Sequence, residues 1–559
     1  MKRWKEKVIY QIWPRSFKDS NGDGIGDIGG IIEKLDYLAA LGVDVLWLSP
    51  IYLSPNKDYG YDISDYYKLN PEYGTMEDFE RLMEEAKKRK LDIMMDLVAN
   101  HTSDQHPWFQ EALKDKDSEY RKFYFFKEGK KDEPPNNWMS FFGGSAWTYD
   151  AQSESYYLTQ FTPNQCDLNW ENPCVRQEIY NIMKFWLDKG VWGFRLDVIN
   201  TISKKEGLPD KDPHQKGLQF PGDFTLNRDK SHEYLKEMYE DVIEGYDCIT
   251  VGEGPLATPR DVVCYTNPLR KELQMMMHFD LHNLGYGKLG KYDFRKFYRW
   301  NIRDFKEVLY TWQENIQRDG GWIGNYLSNH DQNRQVSRFG NDKKYRVESA
   351  KALCLLNLTL RGTPFIYQGE EIGMTDCTLE KNEWRDYEAM NAYEVLQWMM
   401  HIPKGIAEKI VKKVTRDNSR TPMQWSSEEN AGFTTGIPWI KVNPNYKEIN
   451  VERDRKDKES IWHFYQETIG IRKRYQALVG GEFIPVLENH KQVIGYIRKM
   501  KEEEVLILIN LSSKEVTILK ESLKYCLENL IYHTHEMIQH IELEGKIKLR
   551  PYEGRIYKV

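Results

Sequence analysis

Three acidic side chains follow short apolar segments that lie far apart in the chain. Asp197 ends the segment GFRLD, Glu253 ends VGE and Asp331 ends SNHD. Two carboxyl groups that face one glycosidic bond suffice for its cleavage, because one attacks the anomeric carbon and the other protonates the leaving oxygen. The sequence therefore predicts glycoside cleavage, provided that the fold gathers these side chains.

The neighbours of two of these acids suggest how the roles divide. Arg195 precedes Asp197 by two residues and so lies on the same face of a strand. A nearby guanidinium favours an ionised carboxyl and lowers its pKa. Glu253 has no cation beside it in sequence and follows the apolar run CITVG. We predict that Asp197 is the nucleophile and Glu253 the protonated acid, about 5 Å apart as a retaining mechanism requires.

Eight short apolar runs, linked by helix-period segments, are the elements that could position these groups. Such runs are typical of parallel strands buried on both faces. Eight of them predict an α/β fold, a (β/α)8 TIM barrel, whose active site lies at the C-terminal strand ends. An open doubly wound sheet is the alternative. Polar residues at the predicted strand ends are Asp96, Asn100, His101, Arg195, Asp197, Glu253, Asn329, His330 and Asp331. The predicted strands are Val8–Trp13, Val43–Leu48, Leu91–Val98, Gly193–Ile199, Cys248–Gly252, Leu273–Phe279, Asn325–Ser328 and Thr363–Tyr367, with helices at Ile31–Leu41, Met76–Lys88 and Cys174–Lys189.

Two segments depart from the strand–helix repeat. Residues 102–168 are rich in aromatic residues, Asn and Gly, and are too long for a plain loop, which predicts a small inserted domain after the third strand. From residue 481 to 559, short alternating strands predict a C-terminal antiparallel β domain of the sandwich type. The barrel would then comprise residues 1–101 and 169–480.

Composition excludes several classes of protein. The 559 residues are 40% hydrophobic and 30% charged, which is typical of a globular chain, and the net charge of −7 argues against a nucleic-acid surface. No apolar run could span a membrane, and the charged N-terminus does not fit a signal peptide. Seven scattered cysteines suggest buried small side chains in a reducing compartment. We expect a soluble, cytoplasmic monomer; the 13% of aromatic residues fits either a large core or sugar stacking.

Five sequence segments carry a resemblance to a known family. DLVANH (96–101), GFRLD (193–197), VGE (251–253) and SNHD (328–331) resemble, in order and spacing, the four signature segments of the α-amylase superfamily, glycoside hydrolase family 13; QCDLN (165–169) resembles a fifth. Within that superfamily nearly the whole chain resembles the oligo-1,6-glucosidase and α-glucosidase group. The further matching stretches are YQIWPRSFKDSNGDGIGD, DYGYDISDY, GTPFIYQGEEIGMT, RDNSRTPMQW and PWIKVNPNYKEINV.

The resemblance implies a role for individual residues. Asp197 would be the nucleophile, Glu253 the acid/base and Asp331 the stabiliser of the transition state. Val198 is the residue that the family associates with α-1,6 bonds, although it could be only a β-branched strand residue. Tyr61 would be a stacking platform, with core packing as the alternative. The residues implied around a non-reducing glucose, in a pocket that permits only exo action, are Asp58, Tyr61, His101, Phe161, Arg195, His330 and Arg416.

A loop near the N-terminus has the spacing of a calcium site. Oxygen-bearing residues alternate along DSNGDGIGD, and members of the resembled family bind calcium, sometimes magnesium, there. Glycine replaces the glutamate that an EF-hand carries at its twelfth position, and a strand precedes the loop, so it is not an EF-hand. The alternative is a loop whose Asx turns satisfy its own backbone. The predicted ligands of a structural Ca²⁺, or Mg²⁺, are Asp19, Asn21, Asp23, Ile25 and Asp27.

These observations together predict a retaining exo-α-glucosidase that acts on isomaltose-type and related short α-glucosides, without an organic cofactor. Cys166 replaces the usual proline of QPDLN, and GEGPLATP also departs from close relatives, so leaving-group specificity stays open. The alternatives are trehalose-6-phosphate hydrolase, dextran glucosidase, sucrose- or maltose-preferring α-glucosidase, and sucrose isomerase. A phosphate-binding enzyme needs cations at the rim; Lys204 and Lys205 are candidates, although we expect them on a solvated face. A non-catalytic scaffold, like transporter heavy chains, or a purely carbohydrate-binding protein is disfavoured because all three acids are present.

Overall fold

Eight parallel strands form a closed barrel at the centre of the protein. The computed structural model describes residues 3–246, 248–287, 290–293, 298–535, 542–543 and 545–559. The strands are β1 Ile9–Ile12, β2 Val45–Leu48, β3 Asp92–Leu97, β4 Gly193–Leu196, β5 Ile249–Gly254, β6 Met275–His278, β7 Gly324–Asn325 and β8 Thr363–Tyr367. They follow the order β6-β5-β4-β3-β2-β1-β8-β7, and a parallel bridge between Met276 and Ile323 closes β6 onto β7. The predicted (β/α)8 barrel is confirmed, and an open sheet is excluded.

Alternating side chains divide the hydrophobic core into two layers. Residues that point into the barrel, such as Val45, Trp47 and Met94, form a cluster of their own, while their neighbours pack outward against the helices. All four residues of β1, β2 and β4 are buried, as expected for parallel strands covered by helices. At Gly193 an added Cβ would lie 2.2 Å from the carbonyl oxygen of Ile249, so only glycine permits β4 and β5 to approach this closely.

The helices agree with the sequence prediction in part. Met76–Lys88 has the predicted bounds and begins at a capping box formed by Thr75 and Asp78. The predicted helix Ile31–Leu41 is instead two helices, Ile28–Glu33 and Leu35–Leu41, because the backbone leaves helical geometry at Lys34. The other helices of eight or more residues are Pro107–Lys114, Pro173–Asp188, Asp229–Met238, Pro259–Thr266, Ile302–Arg318, Arg346–Thr359, Tyr387–Glu394, Lys404–Val414 and Ile461–Arg474.

Two predicted strands extend too far at the C-terminal end, and a third, Cys248–Gly252, stops two residues before the strand ends at Gly254. The predicted strand Gly193–Ile199 ends at Leu196, because Val198 adopts a left-handed conformation with φ of 36°. The predicted strand Asn325–Ser328 is Gly324–Asn325 in the structure. In the two overextended predictions the chain stays buried and largely apolar beyond the strand, so the composition does not reveal where the hydrogen-bonded ladder stops.

The segments predicted to lie outside the barrel contain antiparallel sheets. Within residues 102–168 three strands pair, Phe126–Glu128, Trp147–Asp150 and Ser155–Leu158, while His101–Ser103 pairs with Gln165–Asp167. The C-terminal segment has a five-stranded sheet of Glu482–Val486, Val493–Met500, Glu503–Asn510, Gly554–Lys558 and Asn529–His533, and a three-stranded sheet of Val516–Leu519, Lys546–Leu549 and Glu542–Leu543. Side chains of both C-terminal sheets share one apolar cluster, an arrangement typical of a sandwich. The domain bounds themselves stay predictions.

The cysteines are only partly buried. None of the seven, all of them among the described residues, forms a disulfide; Cys174 and Cys526 are exposed and Cys264 is half-buried, so the prediction that every cysteine is a buried small side chain was wrong. Cys174 lies in the first turn of a helix, on the face directed away from the core. Among the described residues, no helix combines the length and the apolar character needed to cross a membrane.

Candidate active site

A cavity of about 280 Å³ opens at the C-terminal ends of the barrel strands. Asp197 follows β4, Glu253 lies in β5 and Asp331 follows β7, and all three line this cavity. The fold therefore brings together the three acids that the sequence predicted to converge. These acids are far apart in sequence, but β4 pairs with β5 and the barrel closes, so the strand ends that carry them lie together.

One buried guanidinium connects the carboxyl groups at the base of the cavity. Arg195 Nη1 lies 2.7 Å from Asp197 Oδ1 and 2.9 Å from Asp96 Oδ1, and its Nη2 lies 2.6 Å from Glu253 Oε2. Glu253 therefore has a cation beside it in the structure, although none lies beside it in sequence. Arg195 is the cross-strand neighbour of Val251, two residues before Glu253, and such proximity between strands is not visible along one sequence segment.

Burial changes the acidity of this cluster. It raises the pKa of Asp197 well above the ordinary value, and Arg195 opposes the rise without cancelling it. Burial likewise raises the pKa of Asp96 to about 6 against the pull of Arg195. The sequence prediction of a lowered pKa at Asp197 was therefore wrong, because it considered the guanidinium and not the loss of solvent. Several carboxyl groups around one cation favour retention of a proton in the cluster.

Asp331 occupies the opposite electrostatic environment. Its carboxylate lies 2.8 Å from Arg420 Nη2, 3.5 Å from Arg416 Nη1 and 3.3 Å from His330 Nε2. Burial would raise the pKa of Asp331, but His330 and the two guanidinium groups lower it far below the usual range. Asp331 is thus an ionised acceptor suited to bind sugar hydroxyls.

The cavity wall contains most of the predicted glucose-binding residues. The predicted residues that line it are Asp58, Tyr61, His101, Phe161, Val198 and Arg416, whereas Arg195 and His330 lie fully buried behind it. Arg416 Nη2 contacts Asp58 Oδ1 at 3.2 Å, and its Nη1 lies 3.5 Å from Asp331 Oδ1, so these three charged side chains are joined in the cavity wall. Phe161 stacks on Phe141 with ring centroids 4.9 Å apart.

Tyr61 forms the floor of the cavity. Its ring lies parallel to that of His330, with centroids 5.3 Å apart and planes within 5°, and 5% of its surface is exposed. Its hydroxyl donates to Asp96 Oδ2 at 3.0 Å. Tyr61 is therefore packed against His330 and also lines the cavity, while its role as a stacking platform for a sugar stays a prediction.

Comparison with known proteins agrees with this geometry. Residues 11–481 match the α-amylase catalytic domain. The chain belongs to the α-amylase family. The glycoside hydrolase is 50% identical to the oligo-1,6-glucosidase of Parageobacillus thermoglucosidasius over 561 residues, which cover 100% of this chain and 99% of that protein. It is also similar to two proteins of known crystal structure. Each match spans 100% of this chain and 99% of the other protein. Bacillus licheniformis trehalose-6-phosphate hydrolase is 43% identical with a TM-score of 0.92, and isomaltulose synthase from Klebsiella sp. LX3 is 40% identical with a TM-score of 0.94.

Several residues at the site of this α-amylase-family enzyme escaped the sequence prediction. Gln165 and Arg420 lie inside stretches already singled out, QCDLN and RDNSRTPMQW, so their motifs were the available signal. Others, such as Asn283, Tyr286 and Glu388, lie outside every stretch that the sequence motifs marked, and Glu388 lies in the helix Tyr387–Glu394. The additional cavity-lining residues are Phe141, Phe142, Gln165, Pro255, Phe279, Asn283, Tyr286, Lys291, Gln332 and Glu388.

Lys204 and Lys205 do not form a solvated basic pair in the glycoside hydrolase. Lys204 is buried, and its Nζ lies 2.8 Å from both Asp167 Oδ1 and Asn100 Oδ1. Lys205 is half-buried, with its Nζ 3.7 Å from the ring centroid of Phe224. The prediction of a solvated face was wrong for Lys204, because the segment Gln165–Asp167 folds over it and supplies a buried counter-charge.

The predicted calcium loop of the glycoside hydrolase is arranged by Asx turns. Asp19 accepts hydrogen bonds from the backbone N–H groups of Asn21, Gly22 and Gly24 at 2.7–2.9 Å. The side chains of Asn21 and Asp23 each accept from the N–H two residues further on. Within the described part of the chain no three acidic, histidine or cysteine side chains are gathered for a metal ion. The donors are nevertheless all oxygens, as Ca²⁺ requires, so the residues present fit it chemically. Calcium binding stays a prediction.

Proposed function

We propose that this glycoside hydrolase releases single glucosyl units from short α-1,6-linked glucosides of the isomaltose type, with retention at the anomeric carbon. The observation that carries the proposal is the set of contacts from Arg416 to Asp58 and Asp331 in the cavity wall, from which we infer that one end of the cavity is closed. A closed pocket accepts a non-reducing terminal sugar but not the interior of a chain. The high identity to an enzyme named oligo-1,6-glucosidase supports the same linkage.

In the proposed reaction, the carboxyl group of Glu253 donates its proton to the glycosidic oxygen while Asp197 attacks the anomeric carbon. The C–O bond to the leaving sugar breaks as the ester bond to Asp197 forms. Glu253, now a carboxylate, then takes a proton from water as the water oxygen attacks the same carbon; the ester bond to Asp197 breaks, which releases glucose and returns Asp197 as a carboxylate. Asp331 stabilises the transition state by accepting hydrogen bonds from hydroxyl groups of the reacting sugar.

Val198 supports the choice of linkage. Its side chain lines the cavity directly after the proposed nucleophile, and its backbone N–H contacts Glu253 Oε2 at 3.1 Å. The leaving sugar must sit beside the proton donor, so the methyl groups of Val198 would face that sugar. An apolar side chain there suits the extended exocyclic linkage of an α-1,6 bond, because it makes no demand for a ring hydroxyl as partner.

A phosphorylated disaccharide is the second candidate substrate, favoured by one observation. Lys291 lies at the cavity wall, where its ammonium group could meet a phosphate. Its Nζ is, however, 2.7 Å from the carboxylate of Glu388, which offsets its charge. The neighbouring acids Asp58 and Asp331 add further negative charge around the pocket. This balance supports a neutral sugar.

A substrate panel tests the proposal. Initial rates would be compared for isomaltose, isomaltulose, panose, maltose, sucrose and trehalose 6-phosphate, with product analysis for each. We expect the highest kcat/KM on the α-1,6-linked sugars, with glucose as the first product. A highest rate on trehalose 6-phosphate, or rearrangement of sucrose without net hydrolysis, would contradict the proposal.

We also propose that the N-terminal loop binds a structural Ca²⁺, or Mg²⁺, through the side chains of Asp19, Asn21, Asp23 and Asp27 and the carbonyl of Ile25. Such an ion would supply a positive charge to this acidic loop and take no part in bond cleavage. Chelation should lower the Tm, and added Ca²⁺ should restore it. Asp23→Asn removes one ligand charge from an exposed position and should weaken this response. An unchanged Tm after chelation would contradict metal binding.

We propose further that the enzyme is a cytoplasmic monomer whose partner is its oligosaccharide substrate. Seven cysteines without a disulfide among the described residues support a reducing compartment. Light scattering coupled to size exclusion would test the oligomeric state; a mass of two chains would contradict a monomer.

A further inference from the structure

His330 lies behind the cavity wall between two aromatic rings. Trp13 stacks on its ring with centroids 5.0 Å apart, the nearly parallel Tyr61 ring lies beside it with centroids 5.3 Å apart, and His330 is fully buried. Burial lowers the pKa of His330 to about 3, so the imidazole is neutral near pH 7. A neutral imidazole has one N–H group, and the tautomer therefore decides which neighbour receives that hydrogen bond.

Gln11 provides the contact on the Nδ1 side of this ring. It lies in β1, is 1% exposed and is not among the residues that line the cavity. Its side-chain Nε2 is 2.7 Å from His330 Nδ1 and 3.2 Å from Ser49 Oγ. An amide N–H can only donate a hydrogen bond, so Nδ1 of His330 must be unprotonated and the ring hydrogen must be on Nε2.

The contacts on the Nε2 side require the same tautomer. His330 Nε2 lies 3.3 Å from Asp331 Oδ2, and an ionised carboxylate can only accept a hydrogen bond. Nε2 also lies 2.7 Å from the hydroxyl of Tyr61, which donates its own hydrogen to Asp96. The neighbours of Nε2 therefore require the same tautomer as the Gln11 contact does, and this requirement does not depend on how the Gln11 amide is oriented.

We propose that Gln11 is a positioning residue that fixes the Nε2–H tautomer of His330 and thereby orients Asp331 and Tyr61. The hydrogen bonds then run in one direction, from Gln11 through His330 and Tyr61 to Asp96. Asp96 in turn contacts Arg195, the guanidinium shared by Asp197 and Glu253. A buried amide that touches no substrate thus sets the geometry of both sides of the site.

Two substitutions of Gln11 separate this role from packing. Gln11→Glu keeps the shape, but its carboxylate accepts a hydrogen bond and so demands a proton on Nδ1. Gln11→Met has a similar length and no hydrogen bond. Gln313→Glu is the matched control, because Gln313 is also buried and hydrogen-bonded, to Arg361, but lies in the helix Ile302–Arg318 away from the cavity. Each variant would be assayed on an aryl α-glucoside across pH, with its Tm measured.

The expected results are specific to the tautomer. Gln11→Met should lower kcat about 10- to 100-fold, as loss of an orienting partner of a functional histidine commonly does, with little change in KM. Gln11→Glu should be most active at low pH, where the imidazolium carries hydrogen on both nitrogens, and should lose activity as pH rises. Gln313→Glu should lower Tm without altering the pH profile.

A direct measurement removes the dependence on activity. In protein with ¹⁵N-labelled histidine, the His330 signal, assigned by its loss in a His330→Gln variant, should show an unprotonated Nδ1, and Gln11→Glu should shift the proton onto it. A protonated Nδ1 in the unsubstituted protein would overturn the proposal, as would a Gln11→Glu variant with unchanged kcat and pH profile, or one matched by Gln313→Glu in every readout. The kinetic measurements rest on the proposed function. If no α-glucoside were cleaved, that function would fail while the nitrogen signals still decided the tautomer.

Discussion

The backbone N–H of Val198 donates a hydrogen bond of 3.1 Å to Oε2 of Glu253. Val198 reaches this position through a left-handed conformation, φ 36° and ψ 39°, which β-branched residues rarely adopt. Such strain costs about 1–3 kcal/mol and persists where the surrounding structure imposes it. The residue after the proposed nucleophile therefore contacts the proposed proton donor, so the turn that ends β4 positions both groups.

Replacing Val198 with threonine should change the preference for linkage. Threonine keeps the branched shape but places a hydroxyl where a methyl group faced the leaving sugar. The kcat/KM ratio of isomaltose to maltose should fall by about 10-fold or more, since one group in a specificity pocket is worth about 1–3 kcal/mol. Val262→Thr, in the remote helix Pro259–Thr266, should leave the ratio unchanged. If the isomaltose-to-maltose ratio of kcat/KM were unchanged in Val198→Thr, Val198 would not determine the preference for linkage.

Asp197→Asn should abolish turnover and preserve the fold. The amide cannot form the glucosyl ester, so kcat should fall on the order of 10⁴-fold, as for loss of a central catalytic group. Tm should stay equal or rise, because burial already disfavours the charge of Asp197. Rates and thermal melts would be compared with those of the exposed control Asp117→Asn. Near-normal activity would refute the nucleophile assignment.

Glu253→Gln should affect substrates according to their leaving group. Isomaltose needs a proton on its departing oxygen, whereas an activated aryl glucoside needs less protonation. The loss in kcat should therefore be at least about 10-fold greater for isomaltose. Parallel measurement on both substrates checks this, and equal losses would argue against an acid role for Glu253.

Glu370 should make stability depend on pH. It is buried beside Glu371 and accepts a hydrogen bond from Ser328, and burial raises its pKa to about 8. A carboxyl group that is protonated in the folded state but ionised when unfolded loses stability as pH rises from about 4.5 to about 8. Glu370→Gln cannot ionise, so its Tm relative to the parent protein should increase between pH 5 and pH 8. A difference in Tm that stays constant over this range would show that Glu370 is already ionised at pH 5.

Local patterns allowed much of the fold to be predicted. Continuous apolar runs identified the eight barrel strands, and the Thr75 and Asp78 spacing fits the start of the helix Met76–Lys88. The same patterns failed where a buried apolar segment changed conformation. The run through Val198 and Ile199 stays buried after β4 has ended, and the predicted helix Ile31–Leu41 is broken at Lys34. Apolar composition reports burial, whereas the backbone conformation also depends on the contacts that surround it.

By itself the sequence determined which acids occur, in which order, and that they follow parallel strands; the identities of Asp197, Glu253 and Asp331 as candidates needed no coordinates. Only the tertiary structure decided that Arg195 serves two of them, that Lys204 is buried against Asp167, and that Gln11 faces His330. The physical reason is that these contacts join different strands and loops. Their distances depend on register, barrel closure and the exclusion of water, none of which a motif along one segment records.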